Sequence, residues 1–379
     1  MKTGYAVNEM VTKARKVQAK FEDHTQNQVD EAVRVIAKTM FDNAEVLARL
    51  AVEETGMGVW EHKARKIMRR SRIIWDCSKK NKPVGIVAAV ASSTDPIVST
   101  MCSIMFALKG RNSIIILPHP KGKLCVLYTV ELIKTNLKEL HIPEDLIQIM
   151  EEPDEALQGH LIRSADIVIS NSGVNIHDPG FTSEAENVQC IVDKGANIKK
   201  SVSKIIEGRV FDNGIACPCV QMLIVHKSDF KEIIEDFELK GAYFIDNEDE
   251  RAKLRNAINS SAGQSVQKLA SIAQLDIPKD KTLIIAEINR KGEEEILNRA
   301  KMCPVISITG YESFEEAVDI AQTNLKLGRK CRIACIYSDS NDHIKYAAER
   351  LPVSRLLVNQ ADAVMYEEYY DSCFETPRS

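Results

Sequence analysis

The stretch FDNGIACPCVQ, residues 211–221, sets a cysteine in a tight polar turn that follows a helical stretch. Three chemistries fit a thiol there. Cys217 suits a nucleophile, because a thiolate is the strongest side-chain nucleophile at neutral pH. With Cys219 it also suits half of a metal clip, and as a small apolar residue it suits a core. Structural zinc sites show two two-ligand clusters, often Cys-x-x-Cys, and neither Cys217 with Cys219 nor Cys331 with Cys335 has that spacing. No metal is therefore expected.

The elements around this turn alternate. Residues up to about 80 carry apolar positions at helical spacing, as in VDEAVRVIAKTMFDNAEVLARLAVEETG, with Gly56 as a stop. The period then changes to short apolar runs: PVGIVAAVAS, NSIIILPHP, DLIQIMEE and DIVISNSG read as buried strands separated by helices. After the cysteine turn the alternation resumes through VQMLIVHK, TLIIAEI, PVISITGY and RIACIYSD. This rhythm predicts an α/β fold with doubly wound, mostly parallel sheets in two domains, and it places turns at Asp95, at Pro118-His119-Pro120 and at Gly173 where such sheets bind ligands.

Composition narrows the function classes. The 379 residues are 44% hydrophobic and 27% charged, with 50 basic and 54 acidic side chains interspersed to a net charge of -4. Such a balance offers no basic patch for nucleic acid, and no run of about 18 apolar residues suggests a membrane span. Ten dispersed cysteines and an amphipathic N-terminal stretch without a signal-peptide core point to reduced thiols and a cytoplasmic location. Only 17 residues are glycine, where average usage near 7% would give roughly 27. Any phosphate-binding loop must work with few of them.

Six pieces taken in order, KPVGIVAAVASSTDP, ALKGRNSIIILPHPKGK, PEDLIQIMEEP, RVFDNGIACPCVQ, AKMCPVISI and VSRLLVNQ, span nearly the whole chain. The sequence resembles the CoA-acylating branch of the aldehyde dehydrogenase superfamily. The resemblance implies an aldehyde dehydrogenase-like fold: a Rossmann-like cofactor domain with N-terminal helices over 1–208, a catalytic domain over 209–352 and a shortened C-terminal segment over 353–379. It makes Cys217 the nucleophile that attacks a small aldehyde, NAD or NADP the hydride acceptor, and CoA the co-substrate that carries the acyl group away. Asn213 belongs to the catalytic turn and, with Gly214, shapes the loop. Pro118, His119, Lys123 and Gly173 fall at the cofactor site. Cys303 falls at a position where packing is the expected role.

The sequence also departs from that pattern. Asp95 stands where the family has an asparagine whose amide donates to the developing oxyanion; a carboxylate only accepts, and its charge is expected to raise the pKa of a nearby thiol. Ala300 stands where the family has a glutamate on the nicotinamide ribose. The segment SNSGVNIHDPGFTSEAENV is poor in glycine and rich in acid, and two family stretches that hold oligomers together are missing. These departures imply an impaired enzyme, monomeric, weakly dimeric or paired with a full-length relative. The alternative is a degenerate paralogue acting as a partner subunit or scaffold.

Overall fold

The computed structural model describes residues 2–76, 82–152, 154–170, 180–182, 186–216, 218–288, 296–327 and 333–360. Cys217 and Gly173 lie outside the described residues, so their expected roles have no geometry here. The described residues up to 182, apart from Met57–Val59, form one compact unit; those from 186 onward, with Met57–Val59, form another.

The first unit begins with four helices, α1 (Lys2–Phe21), α2 (Gln26–Asp42), α3 (Ala44–Thr55) and α4 (Trp60–Asp76). It continues β1 (Ile86–Val90), α5 (Pro96–Lys109), β2 (Ser113–Leu117), α6 (Lys123–Leu137), β3 (Ile147–Ile149), α7 (Glu155–Ser164), β4 (Ile167–Ser170) and β5 (Gly180–Thr182). These strands form a parallel sheet in the order β3-β2-β1-β4-β5. Because side chains alternate across a strand, β1 feeds two cores. Val87 and Ala89 join Ile114, Ile116 and residues of α2 to α6, while Ile86, Ala88 and Val90 join Ile115, Leu117, Val7 and Leu161 on the other face. A strand buried on both faces has no polar positions, which is why IVAAV reads as an unbroken apolar run.

The second unit runs β6 (Val188–Val192), α8 (Ile198–Val210), β7 (Val220–His226), α9 (Phe230–Leu239), β8 (Ala242–Ile245), α10 (Glu248–Ile258), α11 (Val266–Ala273) and β9 (Leu283–Glu287). It ends with β10 (Val305–Tyr311), α12 (Phe314–Leu325), β11 (Ile333–Tyr337), α13 (Asn341–Arg350) and β12 (Arg355–Val358). Its parallel sheet has the order β12-β11-β6-β7-β10-β9-β8.

The expected α/β architecture is present, but the expected division at residue 208 falls inside the second unit. Strand β6 pairs with β7 and β11, so it and α8 belong to the second sheet. The helices α10 and α11 and the strands β8 and β12 were not expected. Strand β12 pairs with β11 within the segment that had been read as a remnant from 353 onward. Among the described residues, no helix is long and apolar enough to cross a membrane.

Helix α6 starts where no side chain of its own caps it. Glu54, from the last turn of α3, takes over: its two carboxylate oxygens accept the Leu124 and Cys125 amides, each at 2.7 Å. Loss of such a cap costs about 1–2 kcal/mol. Glu54→Ala is therefore expected to lower unfolding stability by that amount in urea titrations, with Glu54→Gln recovering part of it; an unchanged midpoint would show that water replaces the carboxylate at no cost.

Candidate functional site

In the second unit the FDNG turn is built from three consecutive residues in the left-handed region: Asp212 and Asn213, each at φ 52°, and Gly214 at φ 72°. Short polar side chains tolerate that region because they bond locally to backbone, and here both do. The buried Asp212 carboxylate accepts the Val59 amide at 2.7 Å, and the Asn213 side-chain amide donates to the Gly263 carbonyl at 3.0 Å. Gly263 in turn accepts from the Gly58 amide at 2.8 Å and donates to the Met302 carbonyl at 2.6 Å. Asn213 thus ties the turn to the Gly263 backbone.

Gly214 is required by space as well as by its dihedral. A Cβ there would lie 2.6 Å from the Cys303 carbonyl oxygen. The reason for the tight approach is Arg209, fully buried at the end of α8, whose guanidinium donates to the carbonyls of Lys301 at 2.6 Å and Cys303 at 2.5 Å. The segment 300–303 is thereby tied to the cysteine turn. Ala300 sits half-buried in this segment, and its methyl group offers no acceptor for a ribose hydroxyl. Lys301 is buried, with its ammonium donating to the carbonyls of Leu297 at 2.7 Å and Arg299 at 3.0 Å. Cys303 packs in the core, and burial pushes its thiol up to about 11.

In the first unit the expected cofactor residues line up along the carboxyl edge of the sheet, after β1 and β2. Pro118 is buried, and His119 is half-buried with its Nδ1 accepting the Lys121 amide at 3.1 Å. Burial, with the nearby charge of Lys121, holds the imidazole below its ordinary range, so it is neutral at pH 7. Lys123 opens α6 and pairs with the exposed Glu152 at 3.2 Å. The strand order β3-β2-β1-β4-β5 follows that of a dinucleotide fold, and a neutral imidazole followed by Lys121 and Lys123 after β2 is a set of groups that fits a nucleotide's ribose and phosphates.

Asp95 departs from its expected role. It precedes α5 in sequence but makes no side-chain bond to that helix. Its carboxylate instead meets Lys63 through Oδ1 at 3.4 Å and Lys66 through Oδ2. Both lysines lie on one face of α4, three residues apart, and are 2% and 1% exposed; Lys63 also donates to the Thr94 carbonyl at 2.7 Å. Burial alone would push the Asp95 carboxyl up, but the two ammonium groups and their hydrogen bonds outweigh it and hold the carboxyl below its usual range. The bare negative charge expected from the sequence is not there. Asp95 is therefore not a lone carboxylate: two buried ammonium groups face it. Sequence reasoning missed both lysines, although HKARK carries a signal: Lys63 and Lys66 flank Ala64 and Ile67 on the apolar stripe of α4, where a solvated lysine is out of place.

A five-stranded parallel sheet in dinucleotide order and a seven-stranded parallel sheet entered through a braced cysteine turn define an α/β dehydrogenase fold. No family model matches the chain. It is 38% identical over 392 aligned positions to the acetylating succinate-semialdehyde dehydrogenase of Clostridium kluyveri, covering 95% of this chain and 86% of that one. It is 29% identical to an aldehyde-alcohol dehydrogenase of Clostridium acetobutylicum, covering 93% of this chain and 45% of that one. Among solved structures, an acetylating aldehyde dehydrogenase from Geobacillus thermoglucosidasius superposes with a TM-score of 0.88 at 26% identity, covering 95% of this chain and 87% of that one. The fold recurs at 22% identity in a Rhodopseudomonas palustris propionaldehyde dehydrogenase solved with bound CoA and an acylated cysteine, TM-score 0.85, covering 94% and 88%. The chain belongs to the CoA-acylating aldehyde dehydrogenase family.

The Asp95 cluster makes a specific prediction. Removing one partner of a buried ion cluster leaves charge uncompensated at a cost of about 3–5 kcal/mol. Asp95→Asn is expected to destabilise the protein toward the lower end of that range, since the carboxylate is partly exposed. Because the folded carboxyl titrates below its ordinary value, its contribution is complete above about pH 4 and disappears as pH falls through the lowered folded value. Denaturant titrations of wild type and Asp95→Asn across acidic pH should converge. Parallel curves would mean that Asp95 stays uncharged or unpaired.

Proposed function

We propose that this protein catalyses the NAD(P)-dependent oxidation of a small aldehyde to an acyl-CoA through a Cys217 thioester. The observation that carries the reading is the 38% identity to an acetylating dehydrogenase over 95% of the chain. The braced turn on which Cys217 lies in sequence supports it, as does the donor set at the carboxyl edge of the first sheet. In this reading the first unit holds the cofactor and the second presents the nucleophile, in the cytoplasm, as a monomer or weak dimer.

The chemistry assigned to the chain's own residues is short. The Cys217 thiolate adds to the aldehyde carbon, and the resulting thiohemiacetal loses hydride to become a thioester. NAD(P), when bound, supplies the hydride acceptor. The CoA thiolate then attacks the thioester carbon and expels the Cys217 thiolate, restoring the enzyme. His119 and Lys123, with Pro118 shaping their turn, would hold the nucleotide. Asn213 and Asp212 fix the backbone of the turn that precedes Cys217 in sequence. Asp95 cannot donate to an oxyanion, and its carboxylate is engaged by Lys63 and Lys66, so this position offers no side-chain amide to the developing charge. Asp95 and Ala300, in place of a donor and an acceptor, favour a slow enzyme, and in the limit the paralogue that has lost turnover and serves as a partner subunit.

Incubation with CoA, NAD⁺ or NADP⁺ and either acetaldehyde or succinate semialdehyde should yield acyl-CoA and reduced nicotinamide in equal amounts. Cys217→Ala should lower the rate by at least roughly 10³-fold. Activity that survives in Cys217→Ala rejects the nucleophile; absence of turnover with every small aldehyde favours the subunit reading.

A thiol prediction accompanies it. Cys102 is pushed up to about 12 and Cys303 to about 11 by burial, and Cys125 is raised by the same cause. Such thiols are unreactive at neutral pH. Brief iodoacetamide treatment followed by peptide mapping should therefore label Cys217 well before Cys102, Cys125 and Cys303. Equal labelling of all four would remove the basis for an activated thiol.

A further inference from the structure

The cysteine turn carries a second chemistry, one that needs neither aldehyde nor cofactor. Asn213 and Gly214 form the only Asn-Gly pair among the 379 residues. In such a pair the glycine nitrogen has no side chain beside it and a freely turning backbone, so it can reach the asparagine side-chain carbon. Its attack forms a C–N bond and expels Nδ2 as ammonia, which closes a succinimide ring. Water then opens the ring at either carbonyl, leaving aspartate or isoaspartate. No electrons change hands: a side-chain amide and a water become a carboxylate and an ammonium ion.

The folded turn is arranged against that reaction. Ring closure needs the Gly214 nitrogen on the same side of the Asn213 Cα–C bond as the side chain, whereas at φ 52° and ψ 37° that nitrogen points away from Cβ. The peptide plane between the two residues would have to swing round. Its neighbours oppose the swing. Asn213 Nδ2 donates to the Gly263 carbonyl at 3.0 Å, and the same carbonyl accepts the Gly58 amide at 2.8 Å, so the side chain is tied to a fixed acceptor. Asp212, fully buried, anchors the preceding residue by accepting the Val59 amide at 2.7 Å. Gly214 packs so closely that an added Cβ would meet the Cys303 carbonyl oxygen at 2.6 Å, which leaves the plane little room to turn.

We propose that Asn213 is a latent deamidation site: the closed turn withholds it, and each opening of the turn exposes it to irreversible conversion. The conversion prevents its own reversal by folding. A carboxylate cannot donate to the Gly263 carbonyl, and the new charge stands next in sequence to the buried Asp212 carboxylate. Isoaspartate in addition routes the main chain through the former side chain and lengthens it by a carbon. A converted turn therefore loses the brace that precedes Cys217 in sequence, and the lifetime of the brace is set by how often the turn opens. The inference concerns the chain's own covalent chemistry and does not depend on turnover.

The test is peptide mapping by mass spectrometry of the full chain aged in mildly alkaline buffer, folded and in denaturing urea. Asn259, exposed at the end of α10 and followed by Ser260, serves as the internal comparator. In urea Asn213 should convert before Asn259, because glycine leaves the attacking nitrogen unshielded. In the folded protein Asn213 should convert at least about tenfold more slowly than in urea, by a factor of the same order as the hydrogen-exchange protection of the Val59 amide, which is released when the turn opens. Asp212→Ala should speed conversion of Asn213 in the folded chain and leave Asn259 unchanged; should that variant not fold, the wild-type comparison with Val59 decides. Equal rates in the folded and unfolded chain would overturn the proposal. So would an Asn213 that stays intact in urea, a slowing unrelated to Val59 protection, or a folded Asp212→Ala in which Asn213 converts no faster.

Discussion

Two lysine ammonium groups buried in a helix have to be matched by negative charge where they stand, and in the first unit the half-buried Asp95 carboxylate supplies part of it. The residue sits at the end of β1, at the point where α5 begins, and its two counter-charges come from α4. Lys63 adds a bond to the Thr94 carbonyl, so the pairing fixes the backbone of the turn as well as its side chain. The helix, the strand end and the start of the next helix are therefore held by one electrostatic arrangement, and none of its members is replaceable singly.

Sheet polarity explains why the two units are braced differently. All pairings are parallel, so each sheet has one edge where strands end and helix N-termini begin, with amides and dipoles aimed outward. In the first unit Asp95 and His119 occupy that edge, and the backbone there supplies donors without further construction. The cysteine turn has no such help, because it precedes β7 and so stands at the amino edge. Its scaffold is assembled from side chains instead: Asp212 on Val59, Asn213 on Gly263, and Arg209 on the carbonyls of Lys301 and Cys303. A guanidinium buried for this purpose is costly, and its two short bonds to consecutive segments are what it returns.

The alternation of apolar runs and helical stretches made the architecture legible, because strands buried on both faces announce themselves by the absence of polar positions. Edge elements were less legible for the same reason. Strand β12 exposes Arg355 and half-buries the rest, and β8 half-buries Tyr243 and Phe244, so neither forms an unbroken apolar run. The N-caps Asn247 and Ser265 do mark the starts of α10 and α11, yet α10 is dominated by charged residues and α11 is only eight residues long, with Val266, Leu269, Ala270 and Ala273 on its one buried face. The division between units was misplaced since β6 and α8 precede the cysteine turn in sequence but join the sheet beyond it, and pairing partners cannot be read from one strand. At the site, residue types were readable and their partners were not. Asp95 was recognised as out of pattern, while the lysines that change its meaning lie about thirty residues earlier on a helix that reads as ordinary amphipathic surface.

The shortage of glycine follows a related logic. A chain with 17 glycines still has to turn, and among the described residues six non-glycine positions take positive φ beside seven glycines: Arg111, His141, Asp212, Asn213, Gln274 and Asn359. Each costs roughly 1–2 kcal/mol of backbone strain, so each needs a compensating bond. Asp212 and Asn213 find theirs in the bracing of the cysteine turn. Arg111 donates to the His24 carbonyl and the Gln26 side chain, each at 3.1 Å, tying the entrance of β2 to the start of α2. Asn359 holds Ser338 from both sides, accepting its amide at 3.0 Å and donating to its carbonyl at 2.8 Å. Glycine would make these turns without strain, but it would also leave them without a side chain to reach the neighbouring element. At Arg111, Asp212, Asn213 and Asn359 the strained residue also joins elements, whereas at Gly214, against Cys303, nothing larger fits.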